Sequence, residues 1–194
     1  MPYLPSLDTW RRWMQLRLDG FGDAEAWRRL LVMTPRWERR IARTLVSGAR
    51  GQDPLTLSVP IEGGASVVKR GHPEEWCVSM HGRWPAVHIG ALSAAYSATT
   101  FYPHLMPEIR REIEATKEGR PFGHLTGALH RAVSGWLRVD ELLPGLRRFI
   151  NEEPQRLRTL CDEKSRGLHT DLSFLDVIFR KGPEAIFVLM PLNK

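Results

Sequence analysis

The chain has 194 residues, of which 42% are hydrophobic and 26% charged, and these values exclude a disordered or fibrous protein. No run of about 18 apolar residues occurs, and the first residues lack the pattern of a secretory signal, so we expect neither a transmembrane helix nor secretion. The net charge of the chain is +6. Residues 28–50, with seven arginines and one glutamate, account for all of it, so the charges of the other residues sum to zero. This arginine-rich segment predicts an anionic partner, because guanidinium groups grip phosphates and carboxylates in two-point contacts.

The first 80 residues combine one clear helical pattern with several strand-like runs. Residues 8–18 repeat apolar side chains at the period of an amphipathic helix, with Asp8 as the expected N-cap and Gly20 just past its end. The short apolar run at residues 27–33 is typical of a buried strand. Further strands are predicted at residues 44–47, 55–59, 67–68 and 76–80.

The arginine-rich segment also contains a helix-start pattern. Thr34-Pro35 joins a capping threonine to a proline at the first helical position. A helix beginning there places Arg36, Arg40 and Arg43 on one face, since they are spaced at i, i+4 and i+7. This face is the candidate site for an anionic group, and an ordinary solvated charged surface is the alternative.

The chain becomes helical in its second half. We therefore predict a single domain over residues 1–194 of the α+β or α/β class, with a small mixed sheet from residues 1–80 packed by helices from residues 85–190. The segment 185–190 is apolar enough to be either a strand or a buried closing segment. The predicted helices cover residues 85–98, 107–118, 122–137, 139–151 (broken by Pro144-Gly145), 154–164 and 171–181 (capped by Asp171).

His88 is the titratable residue best suited to acid–base chemistry. Its ordinary pKa lies near neutrality, which suits a general base acting on an amine or a hydroxyl group. Trp84, Leu92 and Tyr96 share its helix face and make that face apolar. The alternative is therefore a histidine packed in the core. The face as a whole is expected to point toward the sheet.

Metal binding has no support in the sequence. Cys77 and Cys161 are 84 residues apart, and neither belongs to a Cys-x-x-Cys or Cys/His cluster. The histidines also lack the spacing of metal ligands. We expect no metal, no cofactor and a cytoplasmic location.

Four segments together resemble the WbqC-like protein family of bacteria. The first is Tyr3-Leu4-Pro5-Ser6 with Trp10 after it, and the second is RTLVSGARG at residues 43–51 with LSVPIE after it. The third joins Trp84, His88 and Tyr96 to a pair of aromatic residues at positions 101 and 102, and the fourth is LSFLDVIFRKGPEA at residues 172–185. The fourth is similar to the terminal segment of members from Bacteroidetes. The chain is thus identified as a member of this family whose central polar motif is degenerate.

The departures from the family pattern fall in that central motif. Ala42 stands where the family carries an asparagine, and only Arg43 of the polar group is retained. Leu31-Val32-Met33 replaces acidic or histidine residues, and the short strand expected ahead of Tyr3 is absent. We expect residues 1–7 to run extended across the sheet, or a second copy of the chain to fill that place as a homo-oligomer. A longer natural start site, which would supply the strand, is the alternative.

The resemblance implies a transferase that attaches a glycyl or related acyl group to an amino sugar during synthesis of lipopolysaccharide O-antigen or another surface polysaccharide. The expected partner is an anionic small molecule such as a nucleotide sugar or another phosphate-bearing donor, with His88 as the base. The alternative is a non-catalytic member whose arginine-rich segment binds an acidic partner, nucleic acid or an anionic membrane surface. The candidate substrate-binding residues are Arg36, Arg40, Arg43, Tyr3, Trp84 and Tyr96.

Overall fold

The computed structural model describes residues 4, 6–33, 42–49, 52–166 and 172–191. These residues form helices around one small antiparallel sheet, which confirms the predicted α+β class. None of the helices in these ranges is both long and apolar enough to cross a membrane. In chain order the elements are α1 (Leu7–Leu18), α2 (Asp23–Met33), β1 (Arg43–Val46), β2 (Leu55–Ser58), α3 (Gly64–Arg70), α4 (Trp84–Tyr96), α5 (Tyr102–Glu114), α6 (Phe122–Trp136), α7 (Val139–Glu152), α8 (Pro154–Ser165), α9 (Phe174–Lys181) and α10 (Ala185–Leu189).

The sheet pairs β1 with β2 in antiparallel register, from Arg43 opposite Ser58 to Val46 opposite Leu55. Side chains alternate along β1, so that Thr44 and Val46 are buried while Arg43 is exposed. The Thr44 hydroxyl exchanges hydrogen bonds of 2.9 Å with the backbone N–H and carbonyl of Leu4. Leu4 therefore lies beside β1. The extended path predicted for residues 1–7 does not reach Leu7, which begins α1, and residues 1–3 and 5 lie outside the described residues.

Helix α1 is confirmed, with a different N-cap from the predicted one. The Ser6 hydroxyl accepts a hydrogen bond from the Thr9 N–H, whereas Asp8 lies exposed in the first turn. Gly20 ends the helix as predicted. It has a left-handed φ of 103°, and the Phe21 N–H reaches the Leu16 carbonyl at 3.1 Å.

Two strand predictions were wrong. Residues 27–33 belong to α2, whose first turn carries Asp23 and Glu25 and whose buried side chains follow the helical period. Residues 67–68 belong to α3. The sheet is consequently smaller than expected, and the strand predicted at residues 76–80 contributes only isolated bridges at positions 77 and 78.

The later helices occur where they are predicted, with four local differences. The helix predicted at residues 107–118 spans Tyr102–Glu114 instead, with Pro103 in its first turn and Pro107 inside it. Helix α7 continues through Pro144, because burial of Val139, Leu143 and Leu146 outweighs the one lost backbone hydrogen bond. Ser173 caps α9, and the predicted cap Asp171 lies outside the described residues. Residues 185–189 form the buried helix α10 rather than a strand.

Candidate functional site

His88 projects from α4 into the interior. Only 3% of the residue is exposed, and its ring donates a hydrogen bond to the backbone carbonyl of Ser58 at the end of β2. Burial lowers the pKa of His88 to about 4, although the bond to Ser58 opposes this shift. His88 is therefore a weak base that is closed off from solvent, and both properties disfavour the predicted role of general base.

Arg43 and His88 both contact Ser58, Arg43 as its partner in the sheet and His88 through a hydrogen bond. Ser58 pairs with Arg43 across the sheet and bonds to His88 from α4. Arg43 is exposed and forms no ion pair with any residue that the structure describes, whereas His88 is buried. The two predicted groups are thus neighbours in the fold without facing one cavity.

Trp84 and Tyr96 are structural rather than open to a substrate. Trp84 is buried beside His88, and its indole N–H donates to the Ser79 carbonyl at 3.1 Å. The fully buried Tyr96 hydroxyl accepts from the Ser47 N–H at 3.1 Å, and burial raises the pKa of Tyr96 to about 12. Both corrections have one cause, which is that the apolar face of α4 packs inward. Arg36, Arg40 and Tyr3 lie outside the described residues.

A second histidine, His130 on α6, lies inside a cage of three tryptophans. Trp10 stacks on its ring at 4.0 Å between centroids, and Trp13 and Trp27 approach at 4.4 and 4.3 Å. Only 1% of His130 is exposed. Gly127 permits this arrangement, because a Cβ there would lie 3.0 Å from the Trp27 indole nitrogen. We call Trp10, Trp13 and Trp27 the tryptophan cage.

The cage holds an unusual number of buried polar atoms without hydrogen-bond partners among the described residues. They are both ring nitrogens of His130 and the indole nitrogen of Trp27. The Asp23 carboxyl group, whose Oδ1 lies 3.9 Å from His130 Nδ1, interacts with the Trp13 indole N–H, and this interaction lowers the pKa of Asp23. Native proteins pair the great majority of such atoms, so this cluster marks the cage as a place to look for a site.

The surroundings shift the pKa values of Asp23 and His130 in opposite directions. Burial raises the pKa of Asp23, and the positive charge of Arg17 opposes this shift. Burial, followed by the charges of Arg131 and Arg17, lowers the pKa of His130 well below its usual value. His130 is therefore neutral, and Asp23 is a carboxylate with raised proton affinity.

Asp23 also lines a cleft of about 290 Å³ between the start of α2, the end of α6 and the start of α7. We call it the Asp23 cleft. Asp140 there pairs with Arg17, and Glu141 pairs with Arg138, while Arg131 forms no ion pair within the described part of the chain. Its lining includes Asp23, Arg131, Ser134, Arg138, Asp140 and Glu141.

The backbone at this cleft is strained. Arg138 has a φ of 54° and a ψ of 41°, and in the described ranges it is the one residue other than glycine with a positive φ. Such left-handed residues cost about 1–3 kcal/mol and cluster at functional sites. Strain therefore coincides with the shifted carboxyl group of Asp23.

No family model, curated protein or solved structure matches this chain. Membership of the WbqC-like family accordingly stays a prediction. The described residues also contain no group of three or more side chains suited to holding a metal ion.

Asp23 and His130 were not predicted as site residues from the sequence. Asp23 reads as an ordinary first-turn acid of a helix, and His130 has no companion at metal-ligand spacing. The only local pattern was the pair Trp10 and Trp13 on one helix face, which is equally typical of a core. Folding brings α1, α2 and α6 together, and no residue spacing in the sequence predicts that these three helices are in contact.

Proposed function

We propose that the chain is a small-molecule transferase whose active site is the Asp23 cleft. The observation that carries this proposal is the position of Asp23, whose carboxyl group reaches from the tryptophan cage to the cleft with 26% of the side chain exposed. Burial raises the pKa of this carboxyl group, and a carboxyl group with raised proton affinity in a cleft is a candidate for acid–base catalysis. The reaction class comes from the resemblance to WbqC-like proteins, which favours transfer of a glycyl or other acyl group to an amino sugar.

In the proposed step, the acceptor amine attacks the acyl carbon of an activated donor. Asp23 takes the proton from the amine nitrogen as the new carbon–nitrogen bond forms. The bond between the acyl carbon and the leaving oxygen or sulfur then breaks with its electron pair, and Asp23 returns the proton to the leaving group. No other reactant is needed, because the acyl group of the donor is already attached to a good leaving group.

The remaining polar groups have roles in this proposal that follow from their charges. Arg131, which forms no ion pair with the described residues, would bind the phosphate or other anionic group of the donor. His130 would hold the Asp23 carboxylate through its Nδ1–H once the present 3.9 Å separation closes to hydrogen-bond distance. A nucleotide sugar or acyl phosphate in a cytoplasmic reaction would supply the charge that Arg131 complements.

The test begins with native mass spectrometry and thermal-shift screening of nucleotide sugars, amino sugars, acyl phosphates and acyl thioesters. Acyl transfer by the binding set is then measured for wild type, Asp23→Asn and Asp53→Asn. Asp53 is exposed in the loop before β2, so it controls for loss of a carboxylate. We expect the Asp23 variant to lose about 10²–10⁴-fold in rate, as for removal of a general base. Equal rates in all three proteins would refute the proposal.

A second candidate is the docking of an acidic partner on the arginine-rich segment, favoured by the exposure of Arg43. Part of the segment is already neutralised, since Arg28 and Arg29 both pair with Glu25. If nucleic acid is the partner, affinity for a DNA or RNA duplex must fall steeply between 50 and 200 mM salt, on the order of 10³-fold for several phosphate contacts. Binding that does not respond to salt, or to Arg43→Gln, would exclude this candidate.

A further inference from the structure

Two of the three acidic side chains that line the Asp23 cleft have arginine partners. Asp140 pairs with the buried Arg17, and Glu141 pairs with Arg138, which lies three residues before it. These four charges cancel in pairs. The charged lining residues that remain are one acid and one base, Asp23 and Arg131.

Asp23 carries the remaining negative charge of the cleft. Its carboxyl group interacts with the Trp13 indole N–H and lies 3.9 Å from His130. Neither neighbour is charged, because burial lowers the pKa of His130 well below its usual value. No arginine or lysine in the described part of the chain forms an ion pair with Asp23, so this carboxylate lacks a cationic partner.

Arg131 carries the remaining positive charge. It is exposed on α6 and lines the cleft without an ion pair to any residue that the structure describes. Its charge lowers the pKa of Asp23, which indicates that the two groups are near each other. They do not form an ion pair together, so a ligand with charges of both signs can lie between them.

The start of α7 favours phosphate as the anionic group of such a ligand. Val139 and Asp140 line the same cleft, and no side chain caps the N-terminus of this helix. The first N–H groups of a helix have no partner within it, and the helix dipole favours an anion there. The acids of the first turn, Asp140 and Glu141, are each neutralised by an arginine. A phosphate has three acceptor oxygens for the N–H groups and for a guanidinium, whereas a carboxylate has two.

We infer that the Asp23 cleft binds a small phosphorylated amine, with its ammonium group against Asp23 and its phosphate group against Arg131 and the start of α7. The volume of about 290 Å³ lies at the lower end of small-molecule sites and suits one such molecule. A simple amine leaves Arg131 without a partner, and a simple phosphate leaves Asp23 without one. This inference goes beyond the proposed function, because binding needs only the two charges and no transfer. In the proposed reaction the molecule would occupy the places of the acceptor amine and the donor anion together, so it should compete with both.

The test compares three probes that share one two-carbon body: phosphoethanolamine, ethanolamine and ethyl phosphate. Titrations of the full chain, followed by amide chemical shifts, should show phosphoethanolamine binding at least about tenfold more tightly than either other probe. The shifts should fall at Asp23, Arg131 and positions 134–141. Equal affinity for phosphoethanolamine and ethanolamine would remove the role of Arg131. Equal affinity for phosphoethanolamine and ethyl phosphate would remove the role of Asp23, and no shift at millimolar concentration would overturn the inference outright.

Charge variants complete the test with matched controls. Arg131→Gln should reduce the affinity for phosphoethanolamine to that for ethanolamine, and Asp23→Asn should reduce it to that for ethyl phosphate. Arg110→Gln on α5 and Asp53→Asn in the loop before β2 each remove an exposed charge outside the cleft, and should leave the affinity unchanged. The inference is overturned if Arg131→Gln binds like Arg110→Gln, or if Asp23→Asn binds like Asp53→Asn.

The results separate this inference from the proposed transferase. If phosphoethanolamine binds as expected while Asp23→Asn keeps the acyl-transfer rate of wild type, the binding site stands and the proposed reaction is refuted. If Asp23→Asn loses acyl transfer while the three probes bind equally, the reaction stands and the inference is refuted.

Discussion

His130 Nδ1 lies 3.9 Å from Asp23 Oδ1, and neither ring nitrogen of His130 has a hydrogen-bond partner among the described residues. The histidine is enclosed by the tryptophan cage, while the other side of the aspartate borders a cleft. One carboxyl group therefore joins the aromatic core to an opening at the surface. The stability and the proposed chemistry of this protein both depend on how that pair is protonated.

Acidification should destabilise the protein well above pH 4. Burial lowers the pKa of His88 to about 4 and that of His130 well below its usual value, so the unfolded chain binds two protons that the folded chain does not. Between the ordinary histidine value near 6.5 and pH 4, stability should fall on acidification with a slope approaching about 2.7 kcal/mol per pH unit. Urea denaturation from pH 7.5 to 4.5 measures this slope. His130→Phe should halve it, and an unchanged slope in that variant would contradict the assignment.

Asp23→Asn should stabilise the protein at neutral pH. Because burial raises the pKa of Asp23, its ionised form costs stability above the unfolded value of 3.8, and that cost disappears as the pH falls below it. The gain should stay below about 1 kcal/mol, since part of the side chain is solvated. Denaturation of wild type and variant at pH 7 and pH 4.5 should give a gain that shrinks at the lower pH. A loss of stability at pH 7 would show that Arg17 outweighs burial.

Gly127→Ala should destabilise the protein although alanine favours helices. The new Cβ would lie 3.0 Å from the indole nitrogen of the buried Trp27, whose ring already contacts His130 at 4.3 Å between centroids. We expect a loss of about 1–3 kcal/mol from overpacking. Gly135→Ala on the same helix meets nothing within 4 Å and should gain about 0.5–1 kcal/mol. Thermal denaturation of the pair tests the cage directly, and equal effects would mean that Trp27 is not confined.

His88→Leu should affect stability and leave ligand binding in the Asp23 cleft unchanged. It removes the donor to the Ser58 carbonyl, which costs about 1–3 kcal/mol when a buried acceptor is left unpaired. His88→Gln keeps an N–H donor and should recover part of that loss. A drop in the rate of catalysis in His88→Leu, under conditions where it is folded, would restore His88 as a candidate catalytic residue.

The sequence predicted the helices of the second half well, because their apolar residues recur at the helical period over ten or more positions. The run Leu30 to Met33 was wrongly predicted as a strand, since four apolar residues in a row suit a strand and a buried helix equally well. The residues that distinguish a helix from a strand here are Asp23 and Glu25, which precede the run and lie in the first turn of α2. The burial of the His88 face was predicted correctly from Trp84 and Leu92.

The candidate site was less predictable for a physical reason. The pair formed by Asp23 and His130 joins residues 107 positions apart, and its tryptophans come from two helices. Each of these residues has an unremarkable role within its own helix. Only their packing leaves polar atoms buried and unpaired, and packing over such separations leaves no periodic pattern in the sequence.

The central claim is that the Asp23 cleft, rather than the neighbourhood of His88, binds the substrate. Backbone amide chemical shifts of the protein, titrated with the tightest-binding donor or acceptor from the screen, test it most directly. The account predicts that the largest changes fall at Asp23, Arg131 and positions 134–141, and that they are lost in Asp23→Asn but kept in Asp53→Asn. Changes centred on Arg43, Ser58 and His88 would contradict it and return the site to the position first predicted from the sequence.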